Sequence, residues 1–422
     1  MTEVEGSFVS GYEAYRRRSP DEIQQAIKTS SIVLDTNALL NLYRMASGGR
    51  EEYFAVLDNV ADRLWIPRQV ADEFHKNRLS AVASHISGLR AKADNVSEAV
   101  EALKKALKDF ARLYSLANGR VSEYMEPLDA AISSILTRVH GDVKGFDLDP
   151  GDLASADPIL DRLTEILGGK VGDRLTGDEL KAAYDEAKRR GEGEIPPGYI
   201  DWKAKGEEGA GDYLIWREML TFAASGRRSI LFVSTDVKDD WLRRQAGFLI
   251  GPRPELVQEM REEAGASYHH ITLADFLRTA STALGVFVSP NTISRARELE
   301  SSREMAAKEL EMQVAAARQT LVQANYEHSK DRARLADIDA RKERIQSQYS
   351  SLLENADRKN TDPVKRAALL SQFDALALEL VNVRDERQAI AAALEASKAR
   401  LAAAEAMWAR LEQKSADLGA RY

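Results

Sequence analysis

Ser31-Ile32-Val33-Leu34-Asp35-Thr36-Asn37 decides the fold, because a short apolar run ends there in a carboxylate and a helix-start signal. An apolar run of this length is typical of a strand buried on both faces of a parallel sheet. A second run, Ser229-Ile230-Leu231-Phe232-Val233-Ser234, is followed by Thr235 and Asp236. Helical patterns alternate with such strands along the chain. The sequence therefore predicts an α/β fold with a parallel sheet flanked by helices.

Further strands and helices of this part are predicted from periodicity and start signals. Short strands are expected at 64–66, 248–250 and 268–272. Helices are expected over 19–28, about 37–60, from Pro67 onward, and over 212–224, 255–263 and 274–282. Another helix is predicted to begin over Asp240–Gln245, directly after the second acidic strand end.

Residues 78–200 are predicted to form a mostly helical insertion within a domain of residues 1–290. From Leu79 to Ala117, apolar residues fall at alternating steps of three and four, which is the spacing of a coiled-coil seam. A returning helix is predicted over 121–140, and short helices over 157–167 and 177–190.

Residues 291–422 predict a separate antiparallel coiled-coil hairpin. One heptad seam runs from Leu310 to Leu352, and a second runs from Leu369 to Leu418. The turn signal Asn355–Pro363 separates them. At 1.5 Å per residue the hairpin would be roughly 70 Å long. We expect these coiled coils to mediate self-association or docking of a protein partner.

Composition narrows the classes of function. The chain has 422 residues, a net charge of −8 and no cysteine. Disulfides, Cys-ligated zinc, iron–sulfur clusters and cysteine nucleophiles are thereby excluded. The negative charge excludes a generally basic coat for nucleic acid but allows a local basic groove. The N-terminal stretch has no signal-peptide pattern, and no apolar run approaches the ~20 residues of a membrane span, so we expect a cytoplasmic protein without membrane association.

Four carboxylates that lie far apart in the chain could converge in such a fold. Asp35 and Asp236 each follow a strand, and ligand crevices in α/β sheets lie beyond the carboxyl ends of strands. Glu73 and Asp212 each lie near the start of a helical pattern. Taken singly, Asp35 and Asp236 are better explained as helix caps and Glu73 as a solvated helix residue, and Asp212 could simply cap its helix. As a set they suit Mg²⁺ or Mn²⁺, and a bound cation would activate water.

The same segments resemble a known family. Val33–Leu40, the Ile66-Pro67 element that leads to helical Glu73, and Ser234-Thr235-Asp236 are similar to the motifs of PIN domains. Ile195–Tyr199 upstream of Gly211–Trp216, together with Asp236–Trp241, is similar to a bacterial subfamily of large PIN-like proteins with a helical insertion. The resemblance covers about residues 10–285 and does not extend to 291–422.

This resemblance implies a Mg²⁺- or Mn²⁺-dependent nuclease that acts on RNA, with single-stranded DNA as a further possible substrate. It implies that the catalytic, metal-binding acids are Asp35, Glu73, Asp212 and Asp236. Asn37 and Thr235 would orient a water or a phosphate near them. Asp240 is a candidate extra metal ligand four residues after Asp236, and it would alternatively compensate a helix dipole.

Candidate substrate contacts flank these motifs. The basic candidates could bind phosphates, and the aromatic candidates could stack on an unpaired base. They are Arg44, Arg68, Lys76, Lys238, Tyr199 and Trp202. Taken singly, each of these residues is better explained by ordinary surface charge or by packing of a loop aromatic.

Three functions remain open at this point. The first is a metal-dependent endoribonuclease, for which a toxin or antiphage role is an analogy based on its long helical arms. The second is a haloacid dehalogenase-like phosphatase, which would want a second acid at position 37, where the chain has Asn. The third is a non-catalytic scaffold that binds nucleic acid or protein.

Overall fold

A computed structural model describes residues 12–116, 118–235, 238–356 and 363–421. Contacts divide these described residues into two units. Ala306–Asp417 form one unit, and the other described residues form the α/β unit.

Within the described residues, the α/β unit is built on a four-stranded parallel sheet. Its strands are β1 (Ser31–Leu34), β2 (Leu64–Trp65), β3 (Ile230–Ser234) and β6 (Tyr268–Thr272), in the order β2-β1-β3-β6. Leu34 of β1 is paired with Val233 of β3, and Ser234 of β3 is paired with Thr272 of β6. The carboxyl ends of β1 and β3 therefore lie side by side. The α/β class and the parallel sheet predicted from the sequence are confirmed.

Helices cover both faces of this sheet because its two central strands are buried on both sides. Trp216 is fully buried among them and makes edge contacts with Tyr268 and Trp241. The helices of this layer are α1 (Pro20–Thr29), α2 (Thr36–Leu40), α3 (Ser47–Asn59), α10 (Gly211–Ala224), α11 (Pro254–Ala264) and α12 (Leu273–Leu284).

The helical insertion lies between β2 and α10. Its first helix is α4 (Arg68–Leu113). The start of α4 is anchored by buried Glu218 of α10, which accepts hydrogen bonds from the backbone N–H groups of Arg68 and Gln69. The remaining helices are α5 (Asn118–Lys144), α6 (Pro150–Ser155), α7 (Pro158–Leu167), α8 (Gly177–Gly193) and α9 (Tyr199–Lys205). Ala117, the last residue of the predicted seam, lies outside the described residues.

Two long helices, α13 (Pro290–Ala356) and α14 (Pro363–Arg421), follow the α/β elements. Within the Ala306–Asp417 unit they pack antiparallel, as their cross-pairs show: Arg387 donates to Asp339, Arg400 pairs with Glu327, and Tyr349 meets Phe373 edge-on. Seam residues such as Ile338 and Ile345 are buried. Residues 357–362 of the turn predicted over Asn355–Pro363 lie outside the described residues.

The helix predicted over 240–245 is wrong. Leu242–Gln245 is a strand, β4, that pairs antiparallel with β5 (Phe248–Pro252). Ala246 and Gly247 join them with φ of 51° and 82°, a two-residue turn whose positive φ values suit the twist of a hairpin. The predicted helix over 37–60 is also interrupted, because a 3₁₀ turn at Asn41–Tyr43 separates α2 from α3.

Candidate functional site

Asp35 joins the ends of the two central strands. It caps α2, since its Oδ1 accepts a hydrogen bond of 2.8 Å from the Thr36 N–H. Its Oδ2 accepts a second hydrogen bond of 2.8 Å from the hydroxyl of Ser234, at the end of β3. Asp35 is thus both a helix cap and a member of a polar cluster at the carboxyl edge of the sheet, and its side chain is fixed by one donor from α2 and one from β3.

Glu73 of α4 is held next to Asp35 through Thr36. The Thr36 hydroxyl donates to Glu73 Oε2 over 2.8 Å, and Gln69 Nε2 donates to Glu73 Oε1 over 2.8 Å. Burial raises the pKa of Glu73; the two hydrogen bonds oppose this shift, and the negative charge of Asp35 adds to it. Asp35 precedes β2 in the chain and Glu73 follows it, and the two acids lie close enough for the charge of Asp35 to contribute to the raised pKa of Glu73.

The first turn of α10 brings Asp212 to the same place. A Cβ atom on Gly211 would lie 2.9 Å from Glu73 Oε1, so the helix start approaches Glu73 more closely than any larger residue would permit. Asp212 is the next residue, and the described residues therefore assemble Asp35, Glu73 and the start of α10 around the sheet edge.

Lys238 places a positive charge among these acids. Its Nζ lies 3.3 Å from Asp212 Oδ2 and 3.0 Å from Asp201 Oδ2. Lys205 also reaches Asp201 Oδ2, at 3.4 Å. Burial alone would raise the pKa of Asp201, but the two lysines outweigh it and lower the pKa to about 2. Asp201 is therefore ionised and shared by two ammonium groups.

Asp240 anchors the Pro196-Pro197-Gly198-Tyr199 loop. It is fully buried, and its Oδ2 accepts hydrogen bonds from the backbone N–H groups of Gly198 at 3.0 Å and Ile200 at 3.3 Å. Asp240 thus caps α9 although it does not belong to that helix. It does not begin the predicted helix, because a strand follows it. Gly198 has φ +88°, and a Cβ there would lie 3.3 Å from Asp212 Cβ, so the loop rests on Asp212.

Asn37 and Thr235 are buried beside the strand ends. Within the described residues, Asn37 Oδ1 is a buried oxygen without a hydrogen-bond partner. Asp236, predicted as the fourth acid, lies outside the described residues.

The six candidate substrate contacts lie in different surroundings. Lys238 is among the acids, as described above. Arg44 is buried and donates to Asn41 Oδ1, and Arg68 pairs with Asp72. Trp202 packs against the core over Gly191, where a Cβ would overlap its ring. Tyr199 is half-buried, with the Lys203 ammonium 5.9 Å from its ring centre, and Lys76 is exposed.

Sequence reasoning missed the residues that orient the acids. Thr36 lies inside the first motif, and Gln69 is four residues before Glu73, on the same helix face. Ser234 is opposite Asp35 once β1 and β3 are paired in register, so all three of these residues had a usable signal. Asp201 had none, because its partner Lys238 is distant in the chain.

The donor set suits a hard divalent cation, since it consists of carboxylates and a buried amide oxygen without sulfur or imidazole. Over the described ranges, no group of three or more acidic or histidine side chains is gathered closely enough to hold a metal ion. Asp236 is not among the described residues, and Lys238 is bound to Asp212 in this arrangement. The chemistry of the residues suits a metal ion. In this structure the positive charge beside Asp212 is the ammonium group of Lys238.

The sheet order and the polar cluster beyond β1 and β3 define an α/β protein with an acidic site at the carboxyl edge of a parallel sheet. A family model described as "PIN like domain" matches residues 31–256, more than half of the chain, and the chain belongs to this family. PIN-like domains typically have a metal-dependent nuclease fold. No curated protein and no solved structure gives a significant match. Of the described helices, none combines the length and apolar character needed to cross a membrane.

Proposed function

We propose that the protein is a metal-dependent endonuclease that cleaves single-stranded RNA with Mg²⁺ or Mn²⁺. The hydrogen-bond chain from Ser234 through Asp35 and Thr36 to Glu73 carries this proposal. It joins two acids that lie far apart in the sequence, at the edge of the sheet where α/β proteins bind ligands. A purely structural cap at Asp35 would need neither Glu73 nor Ser234.

The metal-holding residues in this proposal are Asp35, Glu73, Asp212 and Asp236. A bound cation lowers the pKa of its water and stabilises the departing phosphate oxygen. Thr36, Gln69 and Ser234 fix the orientation of the carboxylates. Burial, and to a smaller extent the charge of Asp35, raise the pKa of Glu73. A cation between the two acids would relieve the repulsion between them.

Substitution of the acids tests the proposal. Asp35→Asn and Asp236→Asn should fold and lose Mn²⁺-dependent cleavage of labelled single-stranded RNA, by about 100-fold or more, as expected for loss of a direct catalytic group. Asp72→Asn is the matched control, because Asp72 is adjacent to Glu73 in sequence but pairs with Arg68 and Arg174 at the surface. A wild-type protein that cleaves neither RNA nor DNA with either metal overturns the proposal.

A non-catalytic scaffold is the second candidate. The pairing of Lys238 with Asp212 favours it, since this ion pair neutralises one of the acids without a metal. RNA binding by the wild type without cleavage, unchanged in Asp35→Asn, supports this alternative. The family match leaves the phosphatase alternative without support.

We propose further that the hairpin of α13 and α14 docks a protein partner or a second copy of the chain. Large apolar side chains remain exposed on it although its seam is buried, among them Val322, Tyr326, Leu378 and Val381. Exposed apolar groups on such a helical arm are typical of interaction surfaces. A monomeric full chain whose partner binding survives disruption of the seam contradicts this part of the proposal.

A further inference from the structure

The position of Lys238 poses a conflict with the proposed metal site. Its ammonium lies 3.3 Å from Asp212 Oδ2, and its charge also acts on Glu73. A divalent cation on Asp212 would be placed beside an ammonium group, and like charges at such distances repel. Lys238 and the cation therefore compete for Asp212 unless the ammonium group of Lys238 pairs with another carboxylate.

Asp201 is that second carboxylate. Its Oδ2 accepts from Lys238 Nζ over 3.0 Å, a shorter contact than the one with Asp212. Its side chain is about one-fifth exposed, as is that of Asp212, so the three groups form a partly buried triad. A small rotation of the lysine stem would keep the contact with Asp201 and release Asp212.

The location of Asp201 supports this role. It belongs to α9, whose start is bound by Asp240 and whose preceding loop rests on Asp212. Lys205, one turn later, also contacts Asp201 and restrains its carboxylate. The carboxylate is thus held in place independently of Lys238.

We propose that Asp201 is a positioning residue that retains Lys238 when a divalent cation binds, so that Lys238 is the counter-ion of Asp212 only in the metal-free protein. This inference rests on the proposed metal site. It assigns to Asp201 no contact with the metal, and it assigns to Lys238 the role of an internal competitor.

Mn²⁺ binding, followed through the electron paramagnetic resonance signal of free Mn²⁺, tests the inference without any cleavage assay. Asp201→Asn should weaken Mn²⁺ binding about fivefold, because Lys238 then loses its ion pair with Asp201 and holds Asp212 more firmly against the cation. A partly exposed ion pair has this strength. Lys238→Met should strengthen it by a similar factor. The double variant should match Lys238→Met within about twofold, since Asp201 acts only through Lys238.

The matched control is Lys203→Met, which removes an ammonium of α9 that pairs with Glu194 at the surface. It should leave Mn²⁺ affinity unchanged, and thermal unfolding of every variant checks that it is folded.

Asp201→Asn could weaken Mn²⁺ binding by the same factor in the wild-type background and in the Lys238→Met background. Asp201 would then be a direct ligand or a structural residue, and the inference would be overturned. No effect of Asp201→Asn in a protein that binds Mn²⁺ overturns it as well. Absence of Mn²⁺ binding in the wild type and in Lys238→Met removes the proposed metal site itself, and the inference with it.

Discussion

A single hydroxyl group connects the acids of this site. Thr36 follows Asp35 in the chain, its N–H donates to Asp35, and its hydroxyl donates to Glu73. Thr36 is uncharged, and charged residues such as Asp35 are the ones that define the sequence motif. Any residue could supply the N–H, but no apolar residue of the same size can make the hydroxyl contact with Glu73, and this contact explains Thr at position 36.

Removal of this hydroxyl should therefore disturb the site without unfolding the chain. Thr36→Val should lower Mn²⁺ affinity and RNA cleavage by about tenfold, because a buried hydrogen bond to a charged group contributes about 1.5 kcal/mol or more. Thr36→Ser retains the hydroxyl and should stay close to the wild type. Equal losses in both variants would show that the methyl group, and hence packing, is what matters.

At the scale of elements, buried Glu300 attaches the base of α13 to the start of α12. Its Oε1 accepts a hydrogen bond of 2.8 Å from the Ala274 N–H. Burial raises the pKa of Glu300 to about 7, against the opposing effect of this hydrogen bond. The protonated form is therefore favoured in the folded protein relative to the unfolded chain.

The pH dependence of stability follows from this shift. Because the folded pKa lies above the unfolded value of 4.5, the contribution of Glu300 is fully present below pH 4.5 and is lost as pH rises through about 7. Glu300→Gln should remove that loss, which is of the order of 3 kcal/mol at ~1.4 kcal/mol per pKa unit. Urea unfolding at pH 5 and pH 8 measures it.

Exposed Glu298 provides the matched control on the same helix, since it pairs with Arg295 at the surface. Glu298→Gln should leave the pH dependence as in the wild type. A Glu300→Gln protein with the full wild-type pH dependence would refute the assignment.

At the scale of the whole molecule, the two units have separate buried cores, and damage to one should spare the other. Ile345 is buried in the seam of the hairpin. Ile345→Asp should destabilise the Ala306–Asp417 unit by several kcal/mol, because an unpaired charge is buried. Helical circular dichroism should then be lost at lower temperature, and self-association or partner binding should fail.

Mn²⁺ affinity should stay unchanged in Ile345→Asp, because the acids belong to the α/β unit. Gln346→Asp places the same charge on the exposed side of the helix and is the control. Loss of Mn²⁺ binding together with the hairpin would contradict the independence of the two units.

Periodicity predicted most of the fold because the strands at 31–34 and 230–234 and the long amphipathic helices carry strong, local patterns. It failed at 242–245, where a hairpin depends on positive φ at Ala246, a residue that seldom adopts it. For the site, order in the chain pointed to Asp35, Glu73 and Asp212, and the structure brings Asp35, Glu73 and the start of α10 to the same edge of the sheet. The contacts of Asp201 and Asp240 depend on how a loop folds back across the chain, which a linear pattern does not encode.

The insertion between Glu73 and Asp212 has a consequence for the synthesis of the chain on the ribosome. Asp35 and Glu73 emerge early from the ribosome, whereas Asp212, Ser234 and Lys238 follow only after the entire insertion has been synthesised. A growing chain therefore carries the first acids without their partners for much of its synthesis. The RNA cleavage proposed for this site would require the late acids as well as the early ones, so a nascent chain would not cut its own messenger before translation has passed β3.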